Sequence, residues 1–281
     1  MPGIIGFIGK EVLALKCILG IYEDAILKSA GRFGGWSAII YQSGDVFLRS
    51  HPFSCGDTRS IMELLREVDS ELLIFKLYSP NTPPPQRWNI QPFRFRNWVY
   101  AQHGKIDGFN KIRENIQNAM PDFLSRSLKG TTDAEAVFHL LLSFLYDTGK
   151  LDTKELDIYS TMKAMKHTIE FLKRSCEEKD CGDFSISMIL ANGAILCGYN
   201  SSHTGVVSIF EGRGTCEKCN QIEKCSINRY SSMTRAGLVM ILDNFPETFK
   251  NTNFLEIAND SFFAITHDVT YESIPNRSSF I

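Results

Sequence analysis

The 281-residue chain has almost no excess of charge. Its 30 lysines and arginines face 32 aspartates and glutamates, for a formal net charge of −2. Nothing in that balance calls for a nucleic-acid or membrane surface held by bulk charge. Long hydrophobic runs are missing too. The apolar opening from Met1 to Gly9 has no basic region ahead of it and is cut by Lys10 and Glu11, and the stretch from Val12 to Ile21 is broken by Lys16. Neither is long enough to span a bilayer or has the form of a signal peptide. The expectation is a soluble, cytoplasmic protein that binds neither nucleic acid nor membrane. In that compartment the eight cysteines are expected as reduced thiols or metal ligands rather than as a disulfide framework. Internal repeats and low-complexity tracts are absent as well.

What is present suits one α+β domain over residues 1–281. Hydrophobic residues make up 43% and charged residues 22%, enough apolar content for a sizeable core. Short apolar runs bounded by turn residues predict strands at 3–9, 36–41, 46–50, 72–78 and 98–101. Further strands are predicted at 184–190, 194–199, 205–210, 238–242 and 262–266. Helical spacing predicts helices at 11–30, 61–68, 111–120, 132–147 and 154–174. Thr132 with Glu135 three residues on has the form of a capping box. Pro83, Pro84 and Pro85 make a rigid irregular loop. Many strands are joined by short turns, which favours antiparallel sheets covered by helices.

Several segments, in order, resemble the class II glutamine amidotransferases, whose nucleophile is the N-terminal residue. Gly3-Ile4-Ile5-Gly6-Phe7-Ile8-Gly9-Lys10-Glu11 is similar to the segment that follows that nucleophile. Gly35-Trp36-Ser37-Ala38 resembles the family's Gly-Trp-Gly strand. Asn89-Ile90-Gln91-Pro92-Phe93 followed by Ala101-Gln102-His103-Gly104-Lys105-Ile106 resembles N-x-x-P-F … A-H-N-G-x-I. Thr132-Asp133-Ala134-Glu135 resembles T-D-S-E at a helix start, and Phe263 to His267 stands where relatives carry S-E-P-L in a late strand. The resemblance covers nearly the whole chain and is nearest to the stand-alone members. It implies a four-layer αββα sandwich of two antiparallel sheets between helices.

The resemblance also implies a chemistry that the chain departs from. In the family an N-terminal cysteine attacks the glutamine side-chain amide, with its own α-amine as base. Pro2 stands in that position and has no nucleophilic side chain. At the family's oxyanion hole His103 replaces the asparagine while Gly104 is kept. Lys76 takes the place of the arginine that clamps the substrate carboxylate, keeping the charge without the bidentate fork. Asp133 matches the acid that holds the substrate α-amine. Each has a plainer account. Asp133 fits a helix-dipole acid, Lys76 a solvated strand residue, His103 a surface or capping histidine, and Gly104 a turn with positive φ.

Cys216, Cys219 and Cys225 lie within ten residues of one another in a polar loop at 212–228, a spacing suited to a structural zinc given a fourth ligand. Cys176, Cys181 and His203 are candidates for that fourth place. Three functions remain open on the sequence. The first is an amidotransferase-like protein without glutaminase activity that binds an amino-acid-like ligand or a partner protein and requires no cofactor. The second is an active enzyme using Pro2 or His103 in altered chemistry. The third is a zinc-stabilised interaction protein. Oligomeric state is not legible.

Overall fold

A computed structural model of the chain describes residues 2–9, 34–42, 45–51, 70–79, 85–153, 157–212, 234–243 and 254–277. The stretches predicted as helices at 11–30 and 61–68, and Cys216, Cys219 and Cys225, lie outside the described residues. Labels below number the described elements.

Seven strands form one sheet in the spatial order β11 (Leu255–Ile257), β9 (Thr204–Gly212), β10 (Thr234–Leu242), β1 (Gly3–Gly9), β4 (Leu72–Tyr78), β2 (Gly35–Gln42) and β3 (Asp45–His51). Six form a second sheet in the order β13 (Tyr271–Pro275), β12 (Ser261–Thr266), β8 (Ile195–Asn200), β7 (Phe184–Ala191), β6 (Trp98–Ile106) and β5 (Phe93–Phe95). Every pairing in both is antiparallel. Because side chains alternate along a strand, the inward rows are fixed. Ile4, Ile8, Leu72, Ile74, Val239 and Ile241 of the first sheet meet Val99, Ala101, Ile189, Leu196, Phe263 and Ile265 of the second in one buried cluster. Gly6 shares the inward row of β1, and a Cβ there would lie 2.6 Å from Leu196 Cδ1, so the sheets approach closely at that point.

The other face of the second sheet carries Tyr100, Met188, Leu190, Cys197 and Phe262. They pack against α3 (Asp133–Asp147) and α4 (Ile158–Glu178) through Phe138, Leu141, Met165, Ile169 and Leu172. Tyr100 stacks on Phe138 with ring centroids 5.2 Å apart. The short helices α1 (Arg113–Asn118) and α2 (Asp122–Ser125) close that layer through Ile116 and Leu124. The outer face of the first sheet is also buried at Phe7, Leu73, Phe75, Leu238 and Met240. Burial on both faces explains why β1 and β4 are near-continuous apolar runs rather than alternating ones. The layered arrangement of two antiparallel sheets with helices outside is the one expected.

Some boundaries differ from expectation. β6 runs on through the segment 102–106, and the helix predicted at 111–120 is reduced to a 3-10 turn at Phe109–Lys111 and the six residues of α1. The helix predicted at 154–174 runs from Ile158 to Glu178, capped by Asp157, whose side chain accepts the Tyr159 N–H at 3.0 Å. Only half of the capping box forms on α3. Thr132 Oγ1 accepts from Glu135 N at 3.3 Å, but the Glu135 carboxylate accepts the N–H groups of Lys129 (2.9 Å) and Gly130 (2.7 Å) in the preceding loop instead of returning to Thr132. The strands β5, β11 and β13 have no counterpart among the predicted elements. No helix among the described residues is long and apolar enough to cross a membrane.

Candidate functional site

Alternation also aims the polar residues of the inner rows. Leu72 and Ile74 of β4 face the second sheet, so Lys76 does as well. It is a buried cation, 8% exposed, whose Nζ donates to the Gln102 carbonyl of β6 at 2.6 Å. Burial pulls its amine down to about 8, against the opposing pull of the Asp243 and Asp133 charges. Val99 and Ala101 of β6 face inward, and so does His103, 6% exposed.

The register of β1 supplies the next neighbours. Gly3 is opposite Leu242 of β10 and Leu77 of β4, so Pro2 and Asp243 adjoin one another just past the ends of their strands. Asp243 N donates to the Pro2 carbonyl at 3.3 Å. The Asp243 carboxylate in turn lies 2.6 Å from His103 Nε2. The His203 ring centroid is 4.4 Å from that of His103, and His203 Nδ1 is 2.8 Å from Ser187 Oγ. Ser187 is directly opposite His103 across β7.

Both imidazoles are held below their ordinary pKa. For His103, burial acts first and the Lys76 charge second; together they outweigh Asp243 and bring it to about 3. For His203 burial again leads. His103 is therefore neutral near pH 7, and its contact with Asp243 is an Nε2–H donated to a carboxylate rather than an ion pair.

Gln102 points the other way, toward α3. Its Nε2 donates to Asp133 Oδ2 at 3.2 Å, and its Oε1 accepts from Tyr100 Oη at 2.8 Å. Asp133 Oδ2 also accepts from Ile106 N at 2.9 Å, and Oδ1 accepts from Ala134 N at 2.8 Å. Burial raises the Asp133 pKa, and these bonds oppose the rise. Lys76 and Asp133 thus do not touch; Gln102 joins them, its carbonyl on the amine and its side-chain amide on the carboxylate.

The motif residues around the site have structural work of their own. Asn89 Oδ1 accepts from Thr131 N at 2.9 Å, tying the 89–93 segment to the start of α3. Gln91 Oε1 accepts from Gln102 N at 2.6 Å, while Gln91 N donates to Tyr78 Oη at 2.8 Å and its carbonyl accepts from Ser37 Oγ. Gly104 has φ +83°, and a Cβ there would lie 1.7 Å from the Ser185 carbonyl oxygen and 2.8 Å from His203 Cε1. Only glycine lets the His203 ring and the neighbouring strand come so close.

Of the residues singled out from sequence, Pro2, Lys76, His103 and Gly104 gather at one end of the space between the sheets. Asp133 stands behind β6. The solvated account of Lys76 and the surface account of His103 both fail, since each is buried. Asp243 was missed, and so was His203 as a neighbour of His103. Asp243 is 140 residues from its partner, and only the pairing of β1 with β10 brings it there.

No protein-family model matches the chain. The chain matches the Saccharomyces cerevisiae protein named "Probable glutamine amidotransferase DUG3" at 22% identity over 222 residues, 74% of this chain and 61% of that protein. Among solved structures, a glutamine aminotransferase class-II domain protein from Silicibacter pomeroyi superposes with a TM-score of 0.60 at 15% identity, over 98% of this chain and 100% of that one. The fold is that of the class II glutamine amidotransferases. The glutamine PRPP amidotransferase of B. subtilis, solved with ADP and GMP, shares the amidotransferase fold at a TM-score of 0.57 and 12% identity, over 99% of this chain and 50% of that one. The chain therefore spans about three fifths of the yeast protein, 61%, and half of the B. subtilis enzyme.

Within this amidotransferase fold the residue ahead of β1 is proline. Cys176 and Cys197 lie in the core between the second sheet and the helices. Burial pushes Cys176 up to about 12 and Cys197 higher still. Cys181 sits by Gly108, its Sγ 3.7 Å from that carbonyl. None of the three is among the residues gathered around Lys76 and His103.

Proposed function

We propose that this chain is a glutamine amidotransferase-like protein that does not hydrolyse glutamine through a cysteine and that uses the retained cleft to bind a small amino-acid-like ligand. The observation that carries the proposal is Pro2 at the head of β1, beside Asp243, His103 and Lys76. The family's reaction needs a thiol and a free α-amine on one residue at that place. Proline supplies no sulfur, and none of the described cysteines reaches the cleft.

The binding half of the site is better kept than the reacting half. Lys76 offers a desolvated cation for a carboxylate, and in a water-poor cleft that attraction is stronger than at the surface. Asp133 stands behind β6 and is tied to Lys76 through Gln102, so it holds the backbone that carries the Lys76 contact. A partner protein would then read the liganded state or supply the acceptor chemistry. The fold likeness and the distant yeast relative support the family; the substituted residue supports the loss of turnover.

The test is thermal unfolding in the presence of glutamine, glutamate and γ-glutamyl dipeptides. A ligand at a hundred times its Kd stabilises the folded state by about 2.7 kcal/mol. Saturable stabilisation by at least one of these, lost in Lys76→Met, is expected. Stabilisation unchanged in Lys76→Met would remove Lys76 from the site, and none with any of the three would remove the ligand class.

A further inference from the structure

We infer that His103, His203 and Asp243 form a binding site for one divalent transition-metal ion of the zinc class, at the opening where Pro2 stands. One ring nitrogen from each histidine and one carboxylate oxygen lie within 4.8 Å of each other. A tetrahedral ion with bonds of 2.0–2.2 Å holds its ligand atoms about 3.3 Å apart, so closing the set takes side-chain rotation, not movement of the strands. Two imidazoles and one carboxylate suit zinc and its first-row neighbours, not magnesium or calcium, which take oxygen.

A hydrogen-bond chain fixes the tautomer of His203 independently of that spacing. Asn200 Nδ2 donates to the carbonyls of His203 (3.0 Å) and Ile257 (3.1 Å). Its Oδ1 must therefore be the atom that faces Ser187 Oγ, and it accepts the Ser187 hydroxyl proton at 3.0 Å. Ser187 Oγ already accepts from Ser201 N at 3.1 Å. Having given its one proton to Asn200, it can only accept from His203 Nδ1 at 2.8 Å. The proton of neutral His203 thus sits on Nδ1, and Nε2 carries a bare lone pair with no hydrogen-bond partner among the described residues. Metal-ligating histidines are held in this way, one nitrogen donating to an oxygen behind it and the other facing the ion.

His103 needs one rearrangement. The proton now between its Nε2 and Asp243 Oδ1 gives way to the ion and passes through water to Nδ1, so the imidazole stays neutral. Gly104 belongs to the same design, since a side chain there would strike His203 Cε1. Three protein ligands leave a fourth position open to water or a ligand group, the pattern of a reactive rather than a structural zinc. Lys76 is the opposing term, because its charge lies close enough to depress His103. The inference stands on these contacts alone and holds whether or not an amino-acid-like ligand binds.

The experiment is Co2+ and Zn2+ binding to the full chain, stripped with chelator, in a C216S/C219S/C225S background that removes the competing thiols. Expected are one equivalent of ion per chain and Co2+ visible bands without thiolate charge transfer. Both are lost in His203→Ala and in His203→Gln, which keeps the residue's polarity, with unfolding curves in chelator unchanged. Ser187→Ala, which releases the tautomer, weakens Zn2+ binding about 10–100-fold. Lys76→Met tightens it, the opposite of its effect on a carboxylate ligand, so the two proposals fail separately. No retained ion in the C216S/C219S/C225S background would overturn the site, and so would binding indifferent to both His203 variants.

Discussion

At the residue scale the account turns on charges held between two sheets. Lys76 is a buried cation on the inner row of β4, and burial holds its amine near 8 while Asp243 and Asp133 pull it upward. An NMR titration of the Lys76 side chain should show a midpoint near 8. Asp243→Asn, which removes the stronger opposing charge, should move that midpoint lower. His103 gives a prediction of stability against pH. The unfolded chain binds a proton at this histidine as pH falls past about 6.5, while the folded chain does not until about 3. Between those values the unfolded state holds more protons, so stability falls as the solution is acidified. Urea unfolding of His103→Asn across that window should give a shallower acid limb than the parent chain, and the two curves should run parallel above it.

At the scale of elements, the loop that leads into α3 is held by Glu135 more than by Thr132. Thr132→Ala removes one cap and should cost about 1 kcal/mol. Glu135→Ala leaves two loop N–H groups without their acceptor, each worth about 1–3 kcal/mol when buried. Urea denaturation should therefore rank Glu135→Ala as the more damaging change. Gly104→Ala puts a methyl into the Ser185 carbonyl at positive φ and should cost more than about 2 kcal/mol, with loss of the close His103–His203 approach. Most strands were legible because a run such as Leu72-Leu73-Ile74-Phe75 admits little else. The same runs hid which way Lys76 points, since a strand apolar on both faces has no alternation to follow. The three- and five-residue strands β5, β11 and β13 carry too few apolar residues to declare themselves, and they form because a longer neighbour offers an open edge.

Across the whole molecule, the motifs that resembled the amidotransferases turn out to frame one place. Asn89 and Gln91 fasten their loop to α3 and β6, Gly104 admits His203, and β1 delivers Pro2 to Asp243. The frame was legible because its residues lie close in sequence. The contents of the site were not, because Pro2, Lys76, His103, His203 and Asp243 come from five separate segments, and only the sheet registers bring them together. The central claim is that this frame persists without a thiol where the family places its nucleophile. The measurement that tests it most directly is release of ammonia from glutamine by the purified chain. The account predicts no release above that of glutamine alone at any concentration. Saturable release, abolished by a thiol-blocking reagent, would contradict it.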